Sequence, residues 1–549
     1  MALLCSTIAA TAQTLPGSVL PGRDRPLPAL PNQPGLDFRI ETPGRSAVPR
    51  AVDEIHFALS DIRIVGANAL PASGLRSLYQ NLLGHSVTLS DILDVADKIE
   101  QAYRDAGYIL VRAYVPPQRV SDGVFTINVV EGGIANVVVQ GGYAATQEQI
   151  KSYLQKSVGV KPLPLATLER GLLLSNDLPG VTAGGVLKPA QDMPGASDIV
   201  VDIAQPLFSG GLNLDNRGSR YSGLWTLKGD AQVNSLFGSD QLGASVTTSP
   251  DFSEQFSAQM RYRRAVGDDG MIASLIGTVT NSQPGSSLAA FNVLTDSWAV
   301  GTRLTYPVIR SRDQTLMFDL GFTVQNARVN VLASGLSHDQ WRVLDLSVSY
   351  SRSGLFGGSF AATFDIAQGL GVFGATPNHS PLLSRSGGYT DFTKVVGSVR
   401  FERPIVTGLS VVLTGQAQYA FVPLITGEQV TFGGQQIGRG YDPGGITGDN
   451  GIGASAEVRY DPHLMFSVVQ ALQPYAYVDN AQSWYIQRGL ALDPSLLNQS
   501  INSVGTGMRV WLPNNLIMSL EVSQTLRAVP GSDGGKQATK LYLDAGIRF

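Results

Sequence analysis

The residues Tyr542-Leu543-Asp544-Ala545-Gly546-Ile547-Arg548-Phe549 alternate strictly. Leu541, Leu543, Ala545, Ile547 and Phe549 fall on one face of an extended chain, and Tyr542, Asp544, Gly546 and Arg548 on the other. An open strand edge is a template for unwanted pairing, so a terminal strand of this kind needs a partner. A closed membrane barrel supplies one, with the apolar face toward lipid and the polar face toward a wet lumen. The final aromatic, Phe549, strengthens the reading and points to a bacterial outer membrane.

Composition agrees. Only 15% of the 549 residues are charged and 43% are hydrophobic, whereas a soluble chain carries about a quarter charged residues. No apolar run reaches the roughly 18 residues that a transmembrane helix needs. The net charge of -4 argues against a nucleic-acid partner. Residues 1–12 read as a secretory leader, with Ala10-Thr11-Ala12 fitting the small-residue cleavage rule. The sole cysteine, Cys5, would leave with it, and disulfide and thiol chemistry with that cysteine.

Four further segments follow. Residues 13–54 are rich in proline and glycine and read as an extended or disordered linker. Residues 55–131 give the order β-α-α-β-β. Leu75, Leu78, Leu82 and Leu83 mark a first helix; Ser90 caps a second that carries Ile92, Val95, Ile99 and Tyr103 and ends at Gly107. Residues 132–205 repeat that order, with helices over 146–154 and 165–174, so the two segments form a tandem module. Residues 206–549 have period two from Gly211 onward, as in Leu409–Phe421 and Leu516–Ser523. A soluble sandwich would alternate in the same way locally. The leader, the final aromatic and the length of the pattern favour a membrane barrel.

Enzyme chemistry finds no purchase. The histidines at 56, 85, 338, 379 and 463 have no metal-ligand spacing. Phe432-Gly433-Gly434-Gln435-Gln436 lacks the Lys-Ser or Lys-Thr of a phosphate loop. Asp268-Asp269 reads as a solvated turn. No catalytic residue, metal, cofactor, nucleotide or nucleic acid is expected. Arg439, between Gly438 and Gly440, stands out, although a lone loop arginine is ordinarily solvated.

Three segments carry a family resemblance. The first is Gly107-Tyr108 through Pro116-Pro117-Gln118, followed by Val129-Val130-Glu131-Gly132. The second is Leu214-Asp215-Asn216-Arg217-Gly218 through Gly223, and the third is Ile437-Gly438-Arg439-Gly440-Tyr441. Together they resemble the outer-membrane transporters of two-partner secretion, the TpsB or ShlB/FhaC/HecB type. The resemblance implies two polypeptide-transport-associated (POTRA) domains, at 55–131 and 132–205, before a barrel of sixteen antiparallel strands. The second segment would be the first barrel strand, and the third the tip of a loop folded back into the lumen. Gly438 stands where the family often has an aliphatic residue.

The resemblance also names a partner for Arg439. Gln473-Pro474-Tyr475-Ala476-Tyr477-Val478-Asp479 is similar to the strand that supplies an acid, and parity puts Gln473, Tyr475, Tyr477 and Asp479 on one face. Asp479 is placed first; Glu457 and Arg459 also face inward and compete. The implied function is type V secretion of a large adhesin, haemolysin or toxin. Such a client arrives unfolded in the periplasm and is captured on a POTRA edge, at 59–65 or 186–203. Other implied partners are outer-membrane lipid and, during biogenesis, the barrel-assembly machinery. The alternatives are a barrel-assembly factor and a passive porin or receptor.

Overall fold

A computed structural model describes residues 27–30, 38–40, 56–120, 122–190, 193, 195–250, 252–462, 468–487 and 497–549. The leader expected over residues 1–12 and most of the linker over 13–54 lie outside the described residues.

In the first unit, Asp61–Val65 runs parallel to Val124–Glu131, which pairs antiparallel with Val111–Tyr114. His56–Ala58 and Ser86–Thr88 form a separate short pair. The helix Leu89–Asp105 buries Ile92, Val95, Ala96, Ile99 and Tyr103 in one core with Phe125, Ile127 and Val129 of the sheet. Each of the isoleucine, valine and phenylalanine side chains contributes about 1.5–3 kcal/mol of burial. The helix cap is Thr88, two residues before the expected Ser90. Thr88 Oγ1 accepts from Asp91 N, and Asp91 Oδ2 accepts from Thr88 N, which satisfies two helix-end groups at once. The leucine-rich helix before it is short. Only Ala72–Arg76 is α-helical, followed by a 3-10 turn at Gln80–Leu82. Tyr79 leaves the helical conformation and donates its hydroxyl to Ile62 O.

The second unit places Ala196–Ala204 between Gly133–Gly141 (parallel) and Thr182–Pro189 (antiparallel). Helices Ala144–Leu154 and Leu165–Asp177 cover it through Ile150, Leu154, Leu168 and Leu172. Phe38–Ile40 adds a parallel strand on the outer edge of Thr182–Pro189. Part of the linker is therefore ordered β-structure, and one of the two edges considered for client capture is already covered.

The remaining chain forms a closed barrel of sixteen strands, each antiparallel to the next, from Phe208–Asp215 to Thr539–Arg548. The seam between first and last strands is short, with five residue pairs from Gly211↔Arg548 to Asp215↔Asp544. Leu541, Leu543, Ile547 and Phe549 lie exposed on the outer wall, as an apolar lipid-facing band requires. Phe549 stacks on Phe208 and exchanges both backbone hydrogen bonds with Gly210, so the terminal strand has its partner. Among the described residues no helix is long and apolar enough to cross a membrane.

The second unit docks on successive turns at the near rim of the barrel. Arg310 makes a two-pronged bond to Asp177 at 2.7 and 2.8 Å, and Arg312 reaches Glu169 at 3.2 Å. Gln149 donates to Gly267 O, and Arg170 to Pro307 O. Asp268 and Asp269, expected as solvated, remain half exposed but face Lys156.

Candidate functional site

The chain between barrel strands eleven (Leu409–Ala420) and twelve (Asn450–Tyr460) turns back into the lumen. Val430–Phe432 pairs with Ile446–Gly448, and the segment between them forms the loop tip. Strands twelve, thirteen (Ala471–Trp484), fourteen (Asn498–Leu512) and fifteen (Leu516–Thr525) receive that tip on their inner faces. Gly438 has φ +87°, and a Cβ there would lie 2.4 Å from Ile501. A Cβ on Gly440 would lie 2.9 Å from the Ser503 side chain. Only glycine permits both the left-handed turn and the close approach.

This packing delivers Arg439 into a buried ionic cluster. Arg439 Nη2 lies 3.0 Å from Asp479 Oδ1 and 2.9 Å from Ser455 Oγ; Nε lies 3.2 Å from Asp479 Oδ2. Its Nη1 pairs with Glu457. The backbone N–H groups of Gly438 and Arg439 also donate to Asp479, at 3.1 and 2.8 Å. The guanidinium covers the Tyr477 ring at 3.3 Å from its centre, a favourable cation–π arrangement. The expected competition therefore does not arise as stated. Asp479 and Glu457 hold Arg439 together, while Arg459 binds Glu457 beside it. Register explains this: Ser455 pairs with Asp479 and Glu457 with Tyr477 across strands twelve and thirteen, so all four inward groups meet at one patch. Tyr441 completes the tip. It is buried, and its hydroxyl lies 2.8 Å from both Asn502 O and Arg527 O.

The cluster continues to the seam. Tyr475 and Tyr477 donate to the two oxygens of Glu521, at 2.7 and 2.8 Å, and Arg217 pairs with Glu521 at 3.0 Å while covering the Tyr542 ring. Gly505 and Gly507 leave the room for these tyrosines; a Cβ at either would lie 2.5 Å from the tyrosine oxygen. Tyr477, Glu521 and Arg217 all lie in segments singled out from the sequence, but their meeting at one carboxylate escaped that reading. Alternation placed Glu521 on the polar face, but nothing local tells that it faces Tyr475.

The second motif divides. The first barrel strand ends at Asp215, so Asn216, Gly218 and Gly223 lie beyond it. Asp215 Oδ1 accepts from Arg217 N, and Gly218 packs against the Gly223 carbonyl in a turn with no space for a side chain. These local bonds end the strand earlier than the resemblance implied. Asn216 then prolongs the seam, bonding Leu543 N at 2.7 Å and Leu541 O at 3.0 Å.

The first motif lies mainly at the joint between the two α+β units. Gly107 O accepts from Leu165 N, Tyr108 bridges to Pro164, and Gly132 O accepts from Leu163 N. Glu131 collects the N–H groups of Asn68 and Ala69 and the Tyr103 hydroxyl, at 2.7 to 2.8 Å. Burial raises its pKa, but these donors outweigh it and hold the carboxyl below its ordinary value. Pro116 and Pro117 lead out of strand Val111–Tyr114 elsewhere, and Gln118 brackets the Thr126 backbone with two 2.8 Å bonds.

Residues 195–497 match the family model of the haemolysin secretion/activation protein ShlB/FhaC/HecB. The chain belongs to that family. Residues 57–132 match the ShlB-type POTRA domain. The heme/hemopexin transporter protein HuxB of Haemophilus influenzae (strain 86-028NP) is 22% identical over 86% of this chain and 84% of its own length. The outer membrane transporter CdiB of Dickeya dadantii (strain 3937) is 24% identical over 72% of this chain and 71% of its own. Among solved structures, CdiB from Escherichia coli aligns with a TM-score of 0.71 at 19% identity, covering 100% of this chain and 96% of that one. BamA from Haemophilus ducreyi, lacking POTRA domains 1-3, aligns with a TM-score of 0.55 at 13% identity, covering 90% and 100%. The ShlB/FhaC/HecB family consists of outer-membrane transporters, with POTRA domains on the periplasmic side of a β-barrel.

Proposed function

We propose that this chain exports a large exoprotein, of adhesin, haemolysin or toxin type, from periplasm to cell surface. The observation that carries the reading is the lumenal loop whose tip arginine is held by two acids of the barrel wall. That arrangement closes a conduit in a releasable way. An unfolded client meets the POTRA pair first. The Asp61–Val65 strand lies at the outer edge of its three-stranded sheet and accepts a client strand through sequence-tolerant main-chain bonds. Release of the Arg439 cluster then opens the lumen. Folding of the client outside prevents its return, so no nucleotide is needed. Outer-membrane lipid surrounds the barrel, and the barrel-assembly machinery inserts it.

The test compares cells carrying the full chain with cells carrying a version without residues 56–204. The client is identified as the large polypeptide that appears outside only with the full chain. Its secretion is expected to vanish on deletion while the barrel still reaches the outer membrane. Unchanged export would refute the reading. Retained export with a loss of other outer-membrane barrels would point to an assembly factor instead.

A further inference from the structure

Barrel strands four (Gln255–Val266), five (Met271–Ser282) and six (Leu294–Arg310) carry a basic row on their inner faces. Arg263 pairs in register with Ser274, and Ser274 with Arg303, so the three lie side by side across the strands. Arg261 sits one pleat further along the same face as Arg263. These residues line a cavity of about 390 Å³ that also touches Asp177, at the end of the second unit's last helix.

The charges in this cavity are not balanced. Asp177 is engaged by Arg310, and Arg303 by Asp345 at 2.8 Å. Arg261 donates to Gln259, and Arg263 to Gln241. Among the described residues neither has a carboxylate within ion-pair distance, and the buried Arg263 Nε has no hydrogen-bond partner. Two like charges on adjacent inward positions repel, and fixed guanidinium donors match carboxylates two-pronged. Across two strand spacings, Arg263 and Arg303 stand roughly 10 Å apart. An extended chain can pass between them and present one acidic side chain to each.

We propose that Arg261, Arg263 and Arg303 form a binding site for carboxylate side chains of the client where it passes from the second POTRA unit into the barrel. The site's role in transport rests on the proposed function; its ligand chemistry does not. Acidic residues of the moving chain make short-lived two-pronged contacts with the wall, and the inward face of the barrel draws an acidic segment toward the lumen.

The full chain, purified in detergent, is titrated against fluorescein-labelled octaglutamate, with anisotropy as the readout. Binding is expected and should weaken several-fold as sodium chloride rises from about 50 to about 300 mM, because exposed charges are screened. Arg261→Gln/Arg263→Gln should weaken it at least tenfold, while Asp345→Asn, which releases Arg303, should tighten it. Heat-dependent electrophoretic mobility verifies that each variant keeps its barrel. Equal binding by the double variant, equal binding of octalysine, or full displacement by millimolar inorganic phosphate would overturn the site. If the double variant loses binding and secretion stays intact, the site's role in transport is overturned; if the unaltered chain binds octaglutamate and exports no client, the proposed function fails and the ligand chemistry stands.

Discussion

Replacing Arg439 with alanine tests how the lumenal loop is held. The side chain is 8% exposed and bonds two carboxylates, one hydroxyl and one aromatic face. Breaking a buried ion pair costs about 3–5 kcal/mol when the remaining charge is stranded. Here the stranding is partial. Asp479 keeps the Gly438 and residue-439 N–H donors, and Glu457 keeps Arg459 and Arg509. The expected loss is therefore at the low end, about 3 kcal/mol. At about 1.4 kcal/mol per factor of ten, the open form of the tip rises roughly a hundredfold. Hydrogen exchange of amides 433–445 in the detergent-solubilised protein reads this directly. Double-mutant cycles then apportion the cluster. Coupling between Arg439 and Asp479 should exceed that between Arg439 and Glu457, because Glu457 has two other guanidinium partners and Asp479 has none among the described residues. Unchanged exchange at the tip, or the reverse order of coupling, would refute the account.

Gly505→Ala places a methyl 2.5 Å from the Tyr477 oxygen; overpacking of about 1–3 kcal/mol should loosen the same tip amides, with Gly277→Ala, which meets nothing within 4 Å, as the silent control. Glu131 has a lowered folded pKa, so its contribution is full above the unfolded carboxylate pKa and lost as pH falls through the folded one. Exchange protection of residues 61–65 and 124–131, corrected for intrinsic rates, should fall in acid, and Glu131→Gln should flatten that acid limb while lowering protection at neutral pH. Asp177→Ala removes the fork from Arg310; a cysteine pair at Gln149 and Gly267, bonded across the same interface, should then cross-link in lower yield.

Local pattern alone settles which side chains of a strand face which way. Strand alternation is a property of two neighbouring residues, so Tyr475, Tyr477 and Asp479 were assigned to one face without knowing what lay opposite. The apolar band ending at Phe549 was legible for the same reason, whereas the lumenal tip at Arg439 was legible only through the family resemblance. Helix ends were less so: Thr88 and Ser90 are both good caps, and only the reciprocal bond to Asp91 distinguishes them. The early end of the first barrel strand depended on a turn closed by Gly218 and Gly223. Which of those side chains meet is a property of the closed barrel. Glu457 and Asp479 lie 18 and 40 residues from Arg439 in the chain. Arg217 meets Glu521 across a separation of 304. Those distances vanish only because sixteen strands close with one register, and register at a given pair is set by the sum of all the others. A local pattern can give each residue a direction, but the closed cylinder alone brings the two ends of the chain together.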